Sequence, residues 1–196
     1  LLSLIVFLFI WGYQYDVVKF SIDKKSDLPG VADILGMLIR GVKYFIVTLA
    51  YSIIPVLVFV VGMTLGDPSA FIAVSLISML LFIAAYFIMI MALNNMIAHD
   101  SLKKAFDFSE ITGNISNLGR GKYIGIMLFT IIVMMIISVA VSFVMSFITV
   151  GFAAVINNQA VVISFVIAII QGLFIDSYMS LFFNRVCGSI YRESIK

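Results

Sequence analysis

Charge is what this chain has least of: 11% of its 196 residues are Asp, Glu, Lys or Arg, against about 25% in soluble domains. With 63% apolar residues and a mean hydropathy of +1.21, its apolar surface exceeds what a core of this size can hide. Lipid must cover the remainder, which excludes a soluble enzyme or binding module. Cysteine is limited to Cys187, so there is no internal disulfide and no Cys-rich metal site. The single histidine, His99, argues equally against a His-built metal centre. No phosphate loop, paired catalytic carboxylates or metal-ligand spacing occurs. The expectation is therefore no catalytic residue, no metal and no cofactor.

What the chain does have is long apolar runs. Leu1–Trp11 is too short for a bilayer that needs about 20 residues, and it lacks the charged start and cleavage site of a signal peptide. It reads as the second half of a span whose beginning precedes Leu1. Trp11, Tyr13 and Tyr15 look like an aromatic belt where that helix leaves the hydrocarbon. The spans expected are residues 1–12, 44–65, 70–93, 123–148 and 160–183, with turns at Gly66-Asp67-Pro68-Ser69 and at Asn157, Asn158 and Gln159. The fourth span would measure about 39 Å if helical throughout. Its Ser138, Ser142 and Ser146 recur every four residues, a spacing of small side chains that lets another helix approach closely.

Two amphipathic stretches predict surface helices. Over 30–39, Val31, Ile34, Leu35 and Leu38 share one face, with Pro29 in the first turn. Over 108–118, Phe108, Ile111, Ile115 and Leu118 form the stripe. There Asp107 and Glu110 are placed for a capping box, Phe106 and Ile111 for a hydrophobic staple, and Gly119 for the stop. All 12 Lys and Arg fall in the segments 19–43, 103–122 and 185–196, and none in the turns near 67 or 157. That asymmetry places the three basic segments and the C-terminus in the cytoplasm. It implies six spans in the intact protein, five of them visible here.

The two amphipathic stretches are also related to each other. Asp27 and Asp107 lie 80 positions apart, as do Val31 and Ile111, Leu35 and Ile115, Leu38 and Leu118, and Arg40-Gly41 and Arg120-Gly121. Each unit reads as surface helix, Arg-Gly-(x)-Lys-Tyr hinge, outward span and return span. This is a parallel two-span repeat. The alternative is that Arg, Lys and Tyr belong at any cytoplasmic helix start. The fold class is all-α, a polytopic transmembrane helical bundle forming a single membrane domain.

Several short motifs then line up with a known family. They are Gly12-Tyr13, Asp27-Leu28-Pro29, Gly41-Val42-Lys43-Tyr44, and Tyr51 with Pro55. The second set is Ser101-Leu102-Lys103-Lys104-Ala105-Phe106-Asp107-Phe108 and Gly121-Lys122-Tyr123. Together they resemble a mostly archaeal family catalogued as domain of unknown function four-zero-one-three. The resemblance covers nearly the whole chain apart from the family's N-terminal span. It implies a multi-span prokaryotic membrane protein and brings no activity or site residue with it.

Candidate sites follow from charge inside or beside the spans. Asp176 is the one ionisable residue well inside a span, about 13 Å from Arg185 at helical rise. Ser180 shares its face and Asn184 follows. A carboxylate at that depth is a functional hypothesis, and its plainer reading is a polar pin bonded to a Tyr, Asn or basic side chain. His99-Asp100-Ser101 cannot form a relay, because neighbours on a helix point about 100° apart. Arg40, Lys43, Lys103, Lys104, Arg120 and Lys122 can hold anionic lipid headgroups or a partner at the cytoplasmic face, while also fixing topology. Asp100, Asp107 and Glu110 interrupt this patch, which excludes nucleic acid. The leading expectation is a non-enzymatic accessory protein of the cell membrane. It would organise membrane lipid, a protein partner or a second copy of itself. The alternatives are a transporter or permease subunit using Asp176, and a lipid-modifying enzyme using His99 or Asp100.

Overall fold

The computed structural model describes residues 2–155 and 160–196. The elements in order are α1 (Leu2–Ile22), α2 (Ile34–Met63), α3 (Pro68–His99), a 3₁₀ turn (Leu102–Phe106), α4 (Phe108–Leu118), α5 (Arg120–Val155), α6 (Ala160–Ile170), a π-helical segment (Gln171–Asp176) and α7 (Ser177–Ser194). The described residues contain no strand. Five helical stretches are long and apolar enough to cross a membrane: 3–22, 34–63, 68–99, 120–152 and 164–194. The turn at Asn157, Asn158 and Gln159 lies outside the described residues, as does Leu1.

Helix starts follow side-chain capping. The Asp33 carboxylate accepts from the Gly36 N–H at 3.0 Å, Asp67 from Ala70 at 3.0 Å with Pro68 next in line, and Asp107 from Glu110 at 3.2 Å. Each satisfies a backbone donor that the first turn leaves open. The helices extend well beyond the expected spans. α1 runs on past Trp11 to Ile22, with Trp11 stacked on Phe45 of α2 at 5.6 Å and Tyr15 buried.

The expected surface helix over 30–39 does not form. Residues 23–33 are irregular, and α2 then runs unbroken from Ile34 through Arg40, Gly41 and Lys43. The physical reason is visible in the 80-residue comparison. The second stretch ends α4 at Gly119, whose φ of 90° suits glycine. The matching position in the first stretch is Ile39, which favours continuation. There Val31, Ile34 and Leu35 are exposed. The second surface helix does form as α4, with Ile111 and Leu118 buried.

The chain divides into two compact units, residues 1–120 with 184–196, and residues 121–183. In the first, α1, α2 and α3 pack together around Tyr15, Val18, Val47, Leu93, Met96, Ile97 and Ala105. This core lies at the C-terminal end of α3, where every residue from Ile90 to Ile97 is buried. α1 and α2 meet at backbone distance through two glycines. A Cβ on Gly41 would lie 1.9 Å from the Leu8 carbonyl oxygen, and one on Gly12 would lie 2.0 Å from that of Met37. These glycines provide the close approach of α1 and α2. Ser138, Ser142 and Ser146 in the second unit are exposed, and the Ser146 hydroxyl bonds back to the Ser142 carbonyl at 2.8 Å.

In the second unit α5 is one long helix, and the chain resumes through α6 into the π segment. There the Ser177 hydroxyl donates to the Gly172 carbonyl, five residues back, at 3.0 Å. A bulge of this kind holds the widened turn that the segment needs.

The glycine contact gives a direct test. Gly41→Ala gains about 1 kcal/mol of helix propensity, yet the added methyl forces two backbones apart at a cost of roughly 2–3 kcal/mol. Thermal unfolding in detergent should show Gly41→Ala destabilised. Gly125→Ala, which opens onto free space, should be neutral or stabilised. An undiminished melting temperature for Gly41→Ala would contradict the packing.

Candidate functional site

The polar residues of the first unit converge where α3 ends. Asp100 takes the left-handed conformation, φ 47°, and the Ser101 N–H reaches back to the Met96 carbonyl at 3.1 Å. This is a Schellman stop with Asp in the place usually taken by Gly. It points the Asp100 carboxylate back at the bundle. Its Oδ1 accepts from the Tyr15 hydroxyl of α1 at 2.7 Å and from Lys43 Nζ of α2 at 2.8 Å. One carboxylate therefore joins three helices. The Lys43 and Tyr15 hydrogen bonds hold its pKa below the ordinary carboxylate value.

Two asparagines sit one turn earlier, both fully buried within an apolar helix. Asn95 Nδ2 donates to the Lys104 carbonyl at 3.0 Å, and its Oδ1 accepts from the Tyr191 hydroxyl of α7 at 2.7 Å. Asn94 Nδ2 donates to the Cys187 carbonyl at 3.1 Å. The 3₁₀ turn and α7 are thus tied to α3 by amides that have no water to fall back on. The last carbonyls of α3 find partners too. That of Ala98 accepts from Lys19 Nζ at 3.0 Å, and that of Asn95 contacts His99 Nδ1 at 3.0 Å.

Ion pairs complete the seam. Arg40 addresses Asp16 of α1 through two nitrogens, Nη2 as a hydrogen bond at 2.9 Å and Nε as an ion pair at 2.8 Å, and it reaches Asp33 at 3.1 Å. Lys104 joins Asp107 and Glu110 across the start of α4, and Glu110 lies 3.7 Å from His99 Nε2. The capping box is therefore half formed: Asp107 caps Glu110, while the Glu110 carboxylate turns to Lys104. The Glu110 hydrogen bond raises the Lys104 pKa, and the Glu110 N–H and Lys104 lower that of Asp107.

The six cations proposed for lipid or partner contact thus separate into two groups. Arg40, Lys43 and Lys104 are committed to carboxylates within the fold. Lys103, Arg120 and Lys122 are exposed and make no ion pair among the described residues. His99 and Asp100 engage different partners, so they form no relay. Asp176 closes the π segment, is exposed, and has no hydrogen-bond or ion-pair partner among the described residues. Ser180 is half-buried and Asn184, which belongs to the other unit, is buried. No group of three or more His, Cys, Asp or Glu is placed to hold a metal among the described residues.

The expected span over 70–93 stops short of Asn94 and Asn95, whereas α3 runs on to His99. The available sign was that Asn94 and Asn95 precede Met96 and Ile97, two more residues of apolar helix.

Because folding lowers the Asp100 pKa, its contribution is complete above about pH 4 and is lost as the pH falls through the folded-state value. The Asp100 side chain is 70% exposed, so screening reduces its two hydrogen bonds to about 1 kcal/mol. Asp100→Asn, which tolerates the same backbone, should unfold earlier at pH 7 by that amount. Unfolding curves collected from pH 7 to 3 should show the gap closing. A gap that does not narrow as the pH falls below about 4 would refute the assignment.

Residues 1–149 match the model of a family described as protein of unknown function (DUF4013). No curated protein matches the chain, and no solved structure does.

Proposed function

We propose, for a chain that belongs to the DUF4013 family of proteins of unknown function, a non-enzymatic accessory role in the cell membrane of a prokaryote. It organises anionic lipid or a protein partner at the cytoplasmic face, with the basic segments and the C-terminus on that side. The observation that carries this reading is the use of the polar residues. Tyr15, Lys43, Asn95, Asp100 and Tyr191 bond to one another or to backbone in a structural seam. Lys103, Arg120 and Lys122 are exposed and make no ion pair among the described residues. Such residues attract anionic headgroups at about 1 kcal/mol each. A lipid-modifying enzyme built on His99 and Asp100 draws no support, since both are engaged in separate contacts.

One observation favours a second reading as a transporter or permease subunit. The last long helix changes to π geometry over Gln171–Asp176, and such bulges are frequent at functional sites.

Native mass spectrometry of the full-length protein, gently extracted from its own membrane, separates these. Retained anionic lipid or a stoichiometric protein partner is the expected result. A bare protein, or one carrying a small polar molecule, would overturn the accessory reading and turn attention to Asp176.

A further inference from the structure

α1 ends in a second Schellman stop. The Lys25 N–H bonds the Phe20 carbonyl at 2.9 Å and the Lys24 N–H bonds that of Ser21 at 3.3 Å. Lys24 occupies the left-handed position, φ 60°, where glycine costs less than any side chain that carries a Cβ. A strained residue invites the question of what its side chain does. Lys24 opens onto a pocket of about 360 Å³ formed by the end of α1 and the last turns of α7. That volume falls within the range of small-ligand sites, roughly 300–1,000 Å³.

The lining consists of five cations, Lys24, Lys25, Arg185, Arg192 and Lys196, and three serines. No Asp or Glu lines it. Lys196 pairs with Glu193, and the nearby Asp23 pairs with Lys19 at 3.6 Å. The other four cations make no ion pair among the described residues. Arg185 donates to the carbonyls of Lys25, Ser26 and Asp27, and Arg192 to that of Ser21 at 3.1 Å. Neutral carbonyls fix the guanidinium groups in place without cancelling their charge. Lys25 lies over the Phe20 ring at 4.6 Å, which likewise leaves its charge intact. α7 reaches α1 closely enough to build this wall because Gly188 faces Ser21, where a Cβ would lie 2.7 Å from the serine's own. The Ser21 hydroxyl is held by the Arg185 carbonyl at 2.8 Å.

We propose that this pocket binds a phosphate group, presented either by an anionic lipid headgroup or by a soluble phosphate compound. Four cations without carboxylate partners, beside the Ser26 and Ser189 hydroxyls, suit a multiply charged tetrahedral oxyanion, and guanidinium groups match its geometry. None of these residues belongs to the cationic set at Lys103, Arg120 and Lys122. The inference rests on the accessory reading only in its lipid arm.

The test uses full-length protein in nanodiscs and the variant Lys24→Gly/Lys25→Gln, which leaves Arg185 and Arg192 holding their carbonyls. In phosphatidylcholine alone the variant should melt at or above the wild-type temperature, since glycine relieves the left-handed position. Nanodiscs containing phosphatidic acid, or added inorganic phosphate, should raise the melting temperature of the wild type by mass action. The variant should bind about 25-fold more weakly, about fivefold for each lysine. Stabilisation by phosphatidic acid alone identifies a headgroup; stabilisation by inorganic phosphate as well identifies the phosphate group itself, from a soluble source. Equal responses of variant and wild type to phosphatidic acid would overturn the pocket and leave the lipid-organising reading standing. No response of the wild type to either probe would also overturn it, and native mass spectrometry would still judge the accessory role on its own.

Discussion

An amide or carboxylate carried into an apolar environment must find a partner there, and this constraint shapes the end of α3. Asn94 and Asn95 are buried among Met91, Leu93, Met96 and Ile97. Leaving either amide unpaired would cost about 1–3 kcal/mol for each lost partner. The chain answers by bringing other elements to them: the 3₁₀ turn offers the Lys104 carbonyl, and α7 offers the Cys187 carbonyl and the Tyr191 hydroxyl. Asp100 repeats the logic at the rim, where Tyr15 and Lys43 are its partners. In hydrocarbon, apolar side chains gain nothing from leaving lipid for one another. Polar pairing and close glycine contact are what remain to hold helices together, and the first unit uses both.

This explains why the basic end of the first unit is its most ordered chemistry. The exposed apolar residues elsewhere, such as Leu57, Ile72, Leu80 and Ile83, are what a lipid-facing helix requires and specify little. Specificity lies in the seam. Its cations are consequently poor candidates for ligand binding. A guanidinium held by Asp16 and Asp33 is already neutralised, whereas one held by backbone carbonyls is not. The difference between Arg40 and Arg192 is therefore one of partner and not of residue type, which is why the proposed anion pocket sits at α1 and α7 and away from Arg40 and Lys43.

The sequence made the class legible, because apolar runs and caps are local properties. Asp67-Pro68 and Asp107 mark helix starts through contacts within one turn, and Phe108–Leu118 declares itself by periodicity. What escaped was decided by distant partners. Gly41 reads as a hinge by analogy with Gly121, yet it is an interior contact because Leu8 lies against it. Ile39 in place of glycine removes the break that Gly119 supplies 80 residues later. The serine stripe on α5 carries the right spacing and is exposed. Asp176 invited a partner that the described residues do not provide, and Lys43, which looked available, has one. Spacing reveals which residues share a face, but it does not reveal what that face touches.

The central claim is that polar pairing at the end of α3 holds the first unit together. Asn95→Leu tests it most directly. Leucine matches asparagine in size and suits both helix and apolar surroundings, so a unit held by apolar packing would tolerate or welcome the change. The account instead predicts a loss of about 2–3 kcal/mol, since the Lys104 carbonyl and the Tyr191 hydroxyl are left without partners. Thermal unfolding of the full-length protein in detergent would show it as a lowered melting temperature. A melting temperature equal to or above that of the native protein would contradict the account.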